Sequence, residues 1–467
     1  MSKIFGVFVP VGRLGLVLGE LVFAGCALYF LLIPFLVSSL TLYPVAGPAA
    51  ISIILSGIGI LTMLATGLYN TYDFQNYRAT AAKALLTAFL LGPLIFVVCL
   101  TLSRAKVGAG GISAFWYLKA TTIWFVCIAV ARLSFMRLMR LDTLKRRVIV
   151  IGAGTCAGNV AEIGAGYAAQ HCALLAFVKT PTEKILLRAD HMIVDAESEN
   201  LLTLARRLRA TEIVVAVDDR RGLPTEQLLQ CKIAGIRVTD YLSFCERESG
   251  RVDLAALQPS WLIYSDGFRT GLVFRVVKRI FDIAASTAVL ILTLPVLIVT
   301  ALLIAIESHG PILYRQERVG QFGRPFVLLK FRSMRVDAEQ NGNPQWAAKH
   351  DSRVTRIGAW IRKVRIDELP QLINVLKGDM SFIGPRPERP YFVNRLEEQI
   401  RFYGERHAVK PGISGWAQIN YPYGASLDDA RKKLEFDLFY VKNTTLLLDF
   451  IIFIRTVRVI LNPEGAR

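Results

Sequence analysis

The chain has 467 residues with a formal net charge of +18, and 53% of its residues are hydrophobic. This length leaves room for two or three domains. An apolar excess with a basic balance indicates a membrane protein that lies against anionic lipid, and it argues against a nucleic-acid partner. The seven cysteines form no CxxC pair and show no metal-ligand spacing, so we interpret them as reduced packing residues.

Four apolar runs open the sequence, and each meets the ~20-residue length of a helix that crosses a bilayer. The fourth run leads into six basic residues between positions 132 and 147, and the loop between the first two runs has no charge. By the positive-inside rule this end is cytoplasmic, and four spans place the N-terminus on the same side. The sequence therefore predicts four transmembrane helices within residues 1–135. The runs are Leu14–Leu40, Ala49–Leu68, Ala84–Leu102 and Ile112–Ala131.

A strand, a glycine turn and a helix follow the membrane region. Arg147–Gly154, RVIVIGAG, is a β-branched run that ends in glycines, and Ala157–Gln170 is a predicted helix. This order is typical of the first βα unit of a Rossmann-type fold. Further strands are predicted at Ala173–Val178, His191–Val194, Glu212–Val217 and Arg237–Val238, with helices at Leu201–Leu208 and Thr225–Ala234.

The glycine turn departs from the dinucleotide-binding pattern. Gly152, Gly154 and Gly158 have the spacing GxGxxxG rather than GxGxxG, and Lys179 stands where a ribose-binding acid belongs. We therefore predict a degenerate Rossmann-like cytoplasmic domain over residues 145–245, in preference to a dinucleotide site. Such a domain would serve as a spacer, a dimerisation module or a regulatory module.

A predicted linker, residues 246–272, precedes a fifth apolar run, Phe281–Ile306. Pro295 divides this run into pieces of 14 and 11 residues. At ~1.5 Å per residue these are roughly 21 and 17 Å long, shorter than a ~30 Å hydrocarbon core. Proline kinks a helix because it removes a backbone hydrogen bond. With cations on both sides of the run, the sequence predicts a re-entrant membrane helix over 281–306 that is kinked at Pro295, and a kinked spanning helix is the alternative.

The stretch Arg365–Glu388, RIDELPQLINVLKGDMSFIGPRPE, carries the candidate chemistry. Asp367 and Glu368 stand ahead of a short helix that opens with Pro370, a residue favoured at the first helical position. Helix N-termini bind anions, and Arg386 in a stiff Gly-Pro-Arg-Pro loop offers a forked cation for a phosphate. Carboxylates beside an anion site imply a divalent metal such as Mg²⁺. An isolated Asp-Glu pair is usually a surface cap, so the interpretation depends on the flanking sequence.

The flanking blocks resemble the bacterial sugar transferase family, the monotopic phosphoglycosyl transferases that load a sugar 1-phosphate onto a polyprenyl phosphate. Larger members of the family resemble this arrangement of four spans, a Rossmann-like domain and a transferase. The expected fold class is a membrane protein of α and α/β type whose α+β catalytic domain, residues 273–467, contains the re-entrant helix. Five ordered blocks carry the resemblance: KRIFD (Lys278–Asp282), GPILYRQERVG (Gly310–Gly320), LKFRSM (Leu329–Met334), Arg365–Glu388 and KPGISGWAQIN (Lys410–Asn420).

The resemblance implies transfer of a hexose 1-phosphate from a UDP-sugar to undecaprenyl phosphate with release of UMP, at the cytoplasmic face of the bacterial inner membrane. Asp367 is the expected nucleophile, forming a covalent aspartyl-phosphosugar, and the expected Mg²⁺ ligand. Glu368 is expected to assist as a metal or proton-handling partner. Because two polyanions must meet, charge neutralisation should dominate the barrier. The candidate phosphate-binding residues are Lys330, Arg332, Arg362, Arg365 and Arg386.

The last block and the last helix each allow two interpretations. Gly412 predicts a loop in which backbone approaches a ligand closely, and Trp416 offers a flat face for a nucleotide base. A buried structural tryptophan is an equal alternative. The helix predicted over Leu446–Leu461 suits the membrane interface or packing on the catalytic core. Expected partners are the two substrates, membrane lipids and a second copy of the chain in a homodimer.

Two other functions stay open at this point. A membrane-tethered NAD-dependent nucleotide-sugar epimerase or dehydratase would use the turn at Gly152–Gly158. It would need a ribose-binding acid and a Tyr-x-x-x-Lys pair, and neither stands in that domain. A non-enzymatic scaffold for polysaccharide assembly would make the carboxylate pair dispensable. No motif distinguishes glucose from galactose or an N-acetylated sugar, because such specificity rests on a few hydroxyl contacts.

Overall fold

The computed structural model describes residues 145–335 and 353–461 apart from short gaps, and it describes few residues before 145. The four helices predicted within residues 1–135 therefore lie outside the described residues, isolated positions excepted. Two three-residue strands are described near the start, Ser2–Ile4 and Val7–Val9. The short gaps are 167–168, 170–171, 182, 188–191, 196–197, 269–270, 423 and 425.

From residue 145 onward the chain forms two compact units, whose boundary lies between Ser249 and Gly250. We call residues 145–249 the sheet unit, and each unit is described by itself. Strands alternate with helices in the sheet unit. Its elements are β1 (Arg146–Ile151), α1 (Thr155–Ala165), β2 (Cys172–Lys179), β3 (Ile193–Asp195), α2 (Leu201–Arg207), β4 (Glu212–Val215), α3 (Thr225–Ile233), β5 (Arg237–Asp240) and α4 (Tyr241–Ser249).

The five strands of the sheet unit are parallel and lie in the order β3-β2-β1-β4-β5. Residues Val148–Ile151 of the central strand are fully buried, as expected for a parallel sheet that is covered on both faces. This confirms the predicted α/β class and the parallel sheet. Helix α1 ends at Ala165, short of the predicted Gln170, because Gly166 forms its C-cap.

A buried ion cluster lies at the amino ends of β1 and β4. Arg146 contacts Glu212 at 3.0 Å and Glu248 at 2.6 Å, and Arg247 contacts Glu212 at 2.8 Å. Burial alone would raise the pKa of Glu212, but Arg247 and Arg146 hold it below its ordinary value. Pairing offsets the cost of removing these charges from water. The local sequence pattern does not indicate the cluster, because Arg146, Glu212 and the adjacent Arg247 and Glu248 come from three separate parts of the chain.

The second unit begins at Gly250 and is an α+β fold built along one long helix. Three short 3₁₀ turns, Gln321–Gly323, Ile366–Glu368 and Tyr403–Ala408, connect its elements. The regular elements are α5 (Pro259–Tyr264), α6 (Leu272–Glu307), β6 (Leu313–Val319), β7 (Pro325–Phe331), α7 (Arg356–Lys363), α8 (Gln371–Lys377), β8 (Ser381–Ile383), α9 (Pro390–Gln399), β9 (Gly412–Ser414), α10 (Trp416–Asn420), α11 (Leu427–Asn443) and α12 (Leu446–Leu461).

Helix α6 has 36 residues, which is ~54 Å at the usual rise, and Pro295 lies within it. It begins at Leu272, well before the apolar run predicted from Phe281, and includes the end of the predicted linker. By length and composition, α6 is the one helix among the described residues that qualifies to cross a membrane. Its apolar side chains are largely exposed, for example Leu292 and Ile306, each about four-fifths exposed at 80% and 82%.

Three polar residues near the start of α6 fasten it to the rest of the second unit. The Lys278 ammonium donates to the Asp449 carboxylate at 2.6 Å. Arg279 donates to two backbone carbonyls at the end of α8, at 2.6 and 2.7 Å, where a cation is favoured. The buried Asp282 carboxylate accepts from the Ser381 hydroxyl and the next backbone N–H, at 2.9 and 3.0 Å. The KRIFD block therefore anchors α6.

The other end of α6 is fastened to the same unit. The Glu307 carboxylate accepts from the backbone N–H of Ile357, in the first turn of α7, at 3.1 and 3.3 Å. Arg332 donates to the backbone carbonyls of Ser308 and His309 at 2.6 and 3.2 Å. Both ends of the long helix thus contact one compact unit. An apolar cluster packs beneath this end: Ile304, Phe331 and Ile361.

Helix α12 packs on the core of the second unit. Leu448, Asp449 and Ile452 are buried, and the Tyr440 hydroxyl donates to the Asp449 carboxylate at 2.7 Å. A carboxylate in the apolar interior needs such partners. Of the two interpretations that the sequence left open for this helix, the described residues favour packing on the core.

Candidate active site

The predicted carboxylate pair lies in the turn Ile366–Glu368, directly before α8. Arg365 precedes it with φ of 61°, a left-handed conformation that turns the chain sharply out of α7. Non-glycine residues rarely adopt this conformation, and they cluster at tight turns and functional sites. Asp367 and Glu368 are both buried. The local geometry therefore holds two carboxylates in the interior at the entrance of a helix.

Glu368 is surrounded by cations. Its carboxylate accepts from Arg386 at 2.7 Å and from Arg365 at 3.4 Å. Burial alone would raise the pKa of Glu368, but Arg386 and Lys330 outweigh it and hold the pKa well below its ordinary range. Glu368 is therefore an anion at neutral pH, and its oxygens are engaged by guanidinium groups.

Asp367 has a different environment. Within the described part of the chain, no hydrogen bond or ion pair reaches its carboxylate. Burial raises the pKa of Asp367, and the neighbouring Glu368 charge raises it further, while Lys330 acts in the opposite direction. The carboxylate keeps its lone pairs available for an electrophile or a cation. A higher pKa also makes a carboxylate a stronger nucleophile once it is ionised.

Lys330 is the third member of this group. It lies on β7, in the antiparallel hairpin with β6, opposite Tyr314. Burial lowers the pKa of Lys330 to about 8, with a further contribution from Arg386, while Glu368 and Asp367 raise it. A bound phosphate would raise this pKa and so stabilise the charged ammonium form of Lys330.

Arg386 is held in place by buried groups. Arg406 donates to its backbone carbonyl at 3.0 Å, and Arg318 donates to the carbonyl of Pro387 at 3.0 Å. Arg406 itself pairs with the Asp437 carboxylate at 2.8 Å and is buried. Two guanidinium groups thus bind consecutive carbonyls of the Gly-Pro-Arg-Pro loop. The loop presents the Arg386 side chain to Glu368.

The other predicted phosphate-binding residues fall in three places. Arg365 reaches Glu368 from a mostly exposed position. Arg332 directly follows β7, and its guanidinium donates to the carbonyls of Ser308 and His309, just after the end of α6. Arg362 lies in the last turn of α7, and among described residues it makes no hydrogen bond or ion pair with the carboxylate pair. The structure therefore brings together Lys330, Arg365 and Arg386 with the carboxylates, and it does not bring Arg332 or Arg362 to them.

Gly412 and Trp416 make contacts within the fold. A Cβ at Gly412 would lie 2.1 Å from the backbone nitrogen of Gly384, so the glycine allows two backbone segments to touch. The Trp416 indole donates to the carbonyl of Gly250 at 2.7 Å, and its ring stacks on Phe439 at 5.6 Å. These contacts favour the structural interpretation of the tryptophan, and the predicted backbone approach occurs between parts of this chain.

Comparison with known proteins decides the family. A family model described as bacterial sugar transferase matches residues 273–463. The UDP-glucose:undecaprenyl-phosphate glucose-1-phosphate transferase of Caulobacter vibrioides is 38% identical over 191 residues, which cover 40% of this chain and 71% of that relative. This chain belongs to the bacterial sugar transferase family. The matched residues lie in the second unit, which we now call the transferase unit.

Two further relatives carry related names. The UDP-N-acetylgalactosamine-undecaprenyl-phosphate N-acetylgalactosaminephosphotransferase of Aeromonas hydrophila is 45% identical over 250 residues, which cover 54% of this chain and 58% of the relative. The UDP-glucose:undecaprenyl-phosphate glucose-1-phosphate transferase of Escherichia coli is 43% identical over 187 residues, which cover 40% of each chain. The matched part thus spans less than two-thirds of these two relatives, and their names specify different sugars.

The carboxylate pair is compatible with a Mg²⁺ ion that has few protein ligands. No group of three or more His, Cys, Asp or Glu side chains with metal-binding geometry occurs among the described residues. Asp367 offers unengaged carboxylate oxygens, whereas those of Glu368 contact Arg386 and Arg365. Mg²⁺ in phosphoryl-transfer sites commonly takes one or two carboxylates, with substrate phosphates and water completing its shell. Asp367 is the residue that would hold it.

Arg318, Arg406 and Asp437 belong to the site but were not among the predicted site residues. Arg318 lies in the family-like block GPILYRQERVG, so its place in that block was the available signal. Arg406 stands in a basic and aromatic segment whose members look alike by pattern. Asp437 is separated from Arg406 by 31 positions, and no sequence rule pairs them.

Proposed function

We propose that this chain transfers a sugar 1-phosphate from a UDP-sugar to undecaprenyl phosphate and releases UMP. The observation that carries the proposal is the buried Asp367 carboxylate, which accepts no hydrogen bond from the described residues. It lies beside Glu368, whose negative charge is neutralised by the neighbouring cations. Family membership and the names of the relatives support the substrates.

The reaction proceeds in two displacements at one phosphorus atom. An Asp367 oxygen attacks the phosphorus that carries the sugar, and the bond from that phosphorus to the bridging oxygen breaks. UMP leaves with the electron pair, and an aspartyl-phosphosugar remains. A phosphate oxygen of undecaprenyl phosphate then attacks the same phosphorus. The acyl-phosphate bond breaks, the Asp367 carboxylate is restored, and the product is an undecaprenyl diphosphate-linked sugar.

The cations of the site bind and orient the anions. Arg386 and Lys330 lie close to both carboxylates, where they would offset the charge of the diphosphate as it approaches Asp367. Preorganised cations stabilise the charge that develops on the equatorial oxygens during phosphoryl transfer. Glu368 keeps Arg386 in place. A bound Mg²⁺ ion would neutralise further phosphate charge beside Asp367.

We also propose that α6 enters and leaves the membrane by its cytoplasmic face. Both ends of the helix are fastened to the transferase unit, at Lys278 and Asp282 on one side and at Glu307 on the other. Its exposed apolar side chains require a nonpolar environment. The transferase unit would then lie at the inner leaflet of the bacterial inner membrane, where both substrates meet. The four predicted N-terminal helices and a homodimer remain predictions.

A UMP-release assay tests the function. Purified full-length protein in lipid nanodiscs is given undecaprenyl phosphate, Mg²⁺ and, in turn, UDP-glucose, UDP-galactose and their N-acetylated forms. We expect release with at least one sugar, and Asp367→Asn should reduce it by about a thousandfold or more because the nucleophile is lost. Glu398→Gln, an exposed carboxylate on α9, should leave it unchanged.

Labelling separates the covalent route from direct transfer. With UDP-sugar labelled in the sugar and no lipid acceptor, the unsubstituted chain should retain up to one label per chain and release an equal amount of UMP. Adding undecaprenyl phosphate should move the label into lipid. Full transfer activity in Asp367→Asn would contradict the mechanism, and no UMP release by the unsubstituted chain with any sugar would favour a scaffold.

A further inference from the structure

The glycine turn after β1 lies where Rossmann-type folds bind a phosphate. Strands β2 and β4 flank β1 on opposite sides, so the turn opens at the point where the strand order reverses. The backbone N–H groups at the start of the following helix ordinarily receive the phosphate. In this chain they receive a carboxylate. Asp218, just after β4, accepts from the N–H groups of Thr155 and Cys156 at 2.8 and 2.9 Å.

A second carboxylate completes the arrangement. The largely buried Glu183 accepts from the backbone N–H of Ala153 at 2.9 Å and from the backbone N–H of Asp218 at 2.8 Å. Glu183 therefore binds the glycine turn and also fixes the backbone position of Asp218. Four N–H groups at this corner of the sheet are matched by two carboxylates of the same chain.

The carboxylate of Asp218, which is exposed to solvent, also lies directly against the turn. A Cβ at Gly154 would lie 2.2 Å from the nearer Asp218 oxygen, so the glycine is what allows the carboxylate to approach. Burial alone would raise the pKa of Asp218, but the N–H groups of Cys156 and Thr155 hold it below its ordinary value. A second anion at this place would meet a fixed negative charge.

We propose that Asp218 and Glu183 are a built-in substitute for the phosphate of a nucleotide, and that the sheet unit is closed to nucleotides and keeps its fold without one. The inference rests on the sheet unit and is independent of the transferase reaction. The GxGxxxG turn retains the close backbone approach of its dinucleotide-binding counterparts, and the chain itself supplies the anion. With its own anion in place, the sheet unit would keep the same conformation at any nucleotide concentration.

Hydrogen exchange provides a local test. The N–H groups of Thr155 and Cys156 lie in the first turn of α1, where no helical carbonyl accepts from them. Their protection therefore reports on Asp218. In the full chain in nanodiscs, Asp218→Ala should speed exchange in peptides that contain these two residues by about tenfold to a hundredfold, the range for a lost bond to a charged acceptor. Inorganic phosphate should slow it again in the variant but not in the unsubstituted chain.

Matched variants complete the design. Asp219→Ala removes the adjacent carboxylate, which is partly exposed and pairs with Arg221 at 2.6 Å, and it should leave exchange at Thr155 and Cys156 unchanged. Glu183→Gln should speed exchange at Ala153. NAD, ADP and UDP should leave the unsubstituted chain unchanged. Slower exchange at Thr155 and Cys156 with any of these nucleotides would overturn the proposal, and so would unaltered exchange in Asp218→Ala. If Asp218→Ala does not fold, the nucleotide titration and Glu183→Gln still decide the matter.

Discussion

Asp367 and Glu368 are neighbours in the chain, but the transferase unit surrounds them differently. Arg386 and Arg365 contact Glu368, whereas no side chain in the described part of the unit donates a hydrogen bond to Asp367. Their pKa values are displaced in opposite directions, downward for Glu368 and upward for Asp367. Paired groups whose environments separate their pKa values usually hold distinct roles. In the proposed mechanism, Glu368 positions the cations and Asp367 is the nucleophile.

Lys330 should give the activity a high-pH limit. Burial lowers the pKa of Lys330 to about 8, so the ammonium is charged below that pH and becomes neutral as the pH rises through it. Under the proposed function, loss of this cation would weaken binding of the diphosphate. We expect kcat/KM for the UDP-sugar to fall by up to about tenfold per pH unit above 8, because kcat/KM reports ionisations of the free enzyme.

The lysine variant identifies the group responsible. Lys330→Arg keeps a charge that does not titrate in this range, and the fall in kcat/KM should then move to higher pH. Lys363→Arg, an exposed lysine on α7, should leave the profile unaltered. If the decline above pH 8 persists unchanged in Lys330→Arg, another group causes it.

At the scale of elements, the loop that carries Arg386 is held by residues that do not contact the carboxylate pair. Arg318 and Arg406 donate to the carbonyls of Pro387 and Arg386, and Asp437 on α11 holds Arg406. If Arg386 binds the phosphate as proposed, its loop must be fixed closely, because small displacements of a binding group cost large factors in rate. We therefore assign Arg406 and Asp437 as positioning residues.

Breaking the pair of Arg406 and Asp437 should affect both stability and catalysis. Asp437→Asn leaves a buried guanidinium without its counter-charge and should lower the free energy of unfolding by about 3–5 kcal/mol. Arg406→Lys retains the charge but loses the planar guanidinium that donates to three acceptors, the Asp437 carboxylate, the Tyr403 hydroxyl and the Arg386 carbonyl. For Arg406→Lys we expect kcat/KM to fall by a larger fraction of its wild-type value than the free energy of unfolding does.

The control for this pair is the exposed ion pair of Arg207 and Glu199 on the sheet unit. Glu199→Gln removes the partner of Arg207 and should change neither quantity measurably, since exposed ion pairs contribute little. Wild-type kcat/KM in a folded Arg406→Lys protein would show that the arginine is structural and has no positioning role.

At the scale of the whole molecule, the topology of α6 decides where the transferase unit lies. A helix that spans the membrane places the residues before and after it on opposite sides. A re-entrant helix places them on the same side. The contacts of Lys278 and Glu307 with one compact unit support the second arrangement.

Cysteine labelling distinguishes the two topologies. Asp266→Cys lies before α6 and Glu317→Cys lies after it, and both positions are exposed. With a membrane-impermeant maleimide, we expect neither to label in intact cells and both to label in inverted vesicles, with the unsubstituted chain as the background. Labelling of one position in intact cells and the other in vesicles would establish a spanning helix.

Much of the fold follows from local pattern. The run RVIVIGAG predicted the central strand and its turn, because a buried parallel strand must be apolar on both faces. Pro370 predicted the start of α8 to within one residue, since it is the N-cap of a helix that begins at Gln371 and that Gly378 ends with φ of 99°. The start of α6 was misplaced because polar residues such as Lys278 interrupt the apolar run, and their partners are remote in the chain.

The sequence by itself determined the family-like blocks, the alternation of strands and helices, and the carboxylate pair ahead of Pro370. The tertiary structure alone decided which groups meet. One example is the Asp218 carboxylate, which accepts from the N–H of Thr155, 63 positions away. Another is the ion pair of Arg406 with Asp437. The physical reason is that hydrogen bonds and charge interactions depend on distances between atoms, whereas sequence patterns report periodicity along the chain. The partners and the pKa values of these side chains are therefore set only when remote segments of the chain pack together.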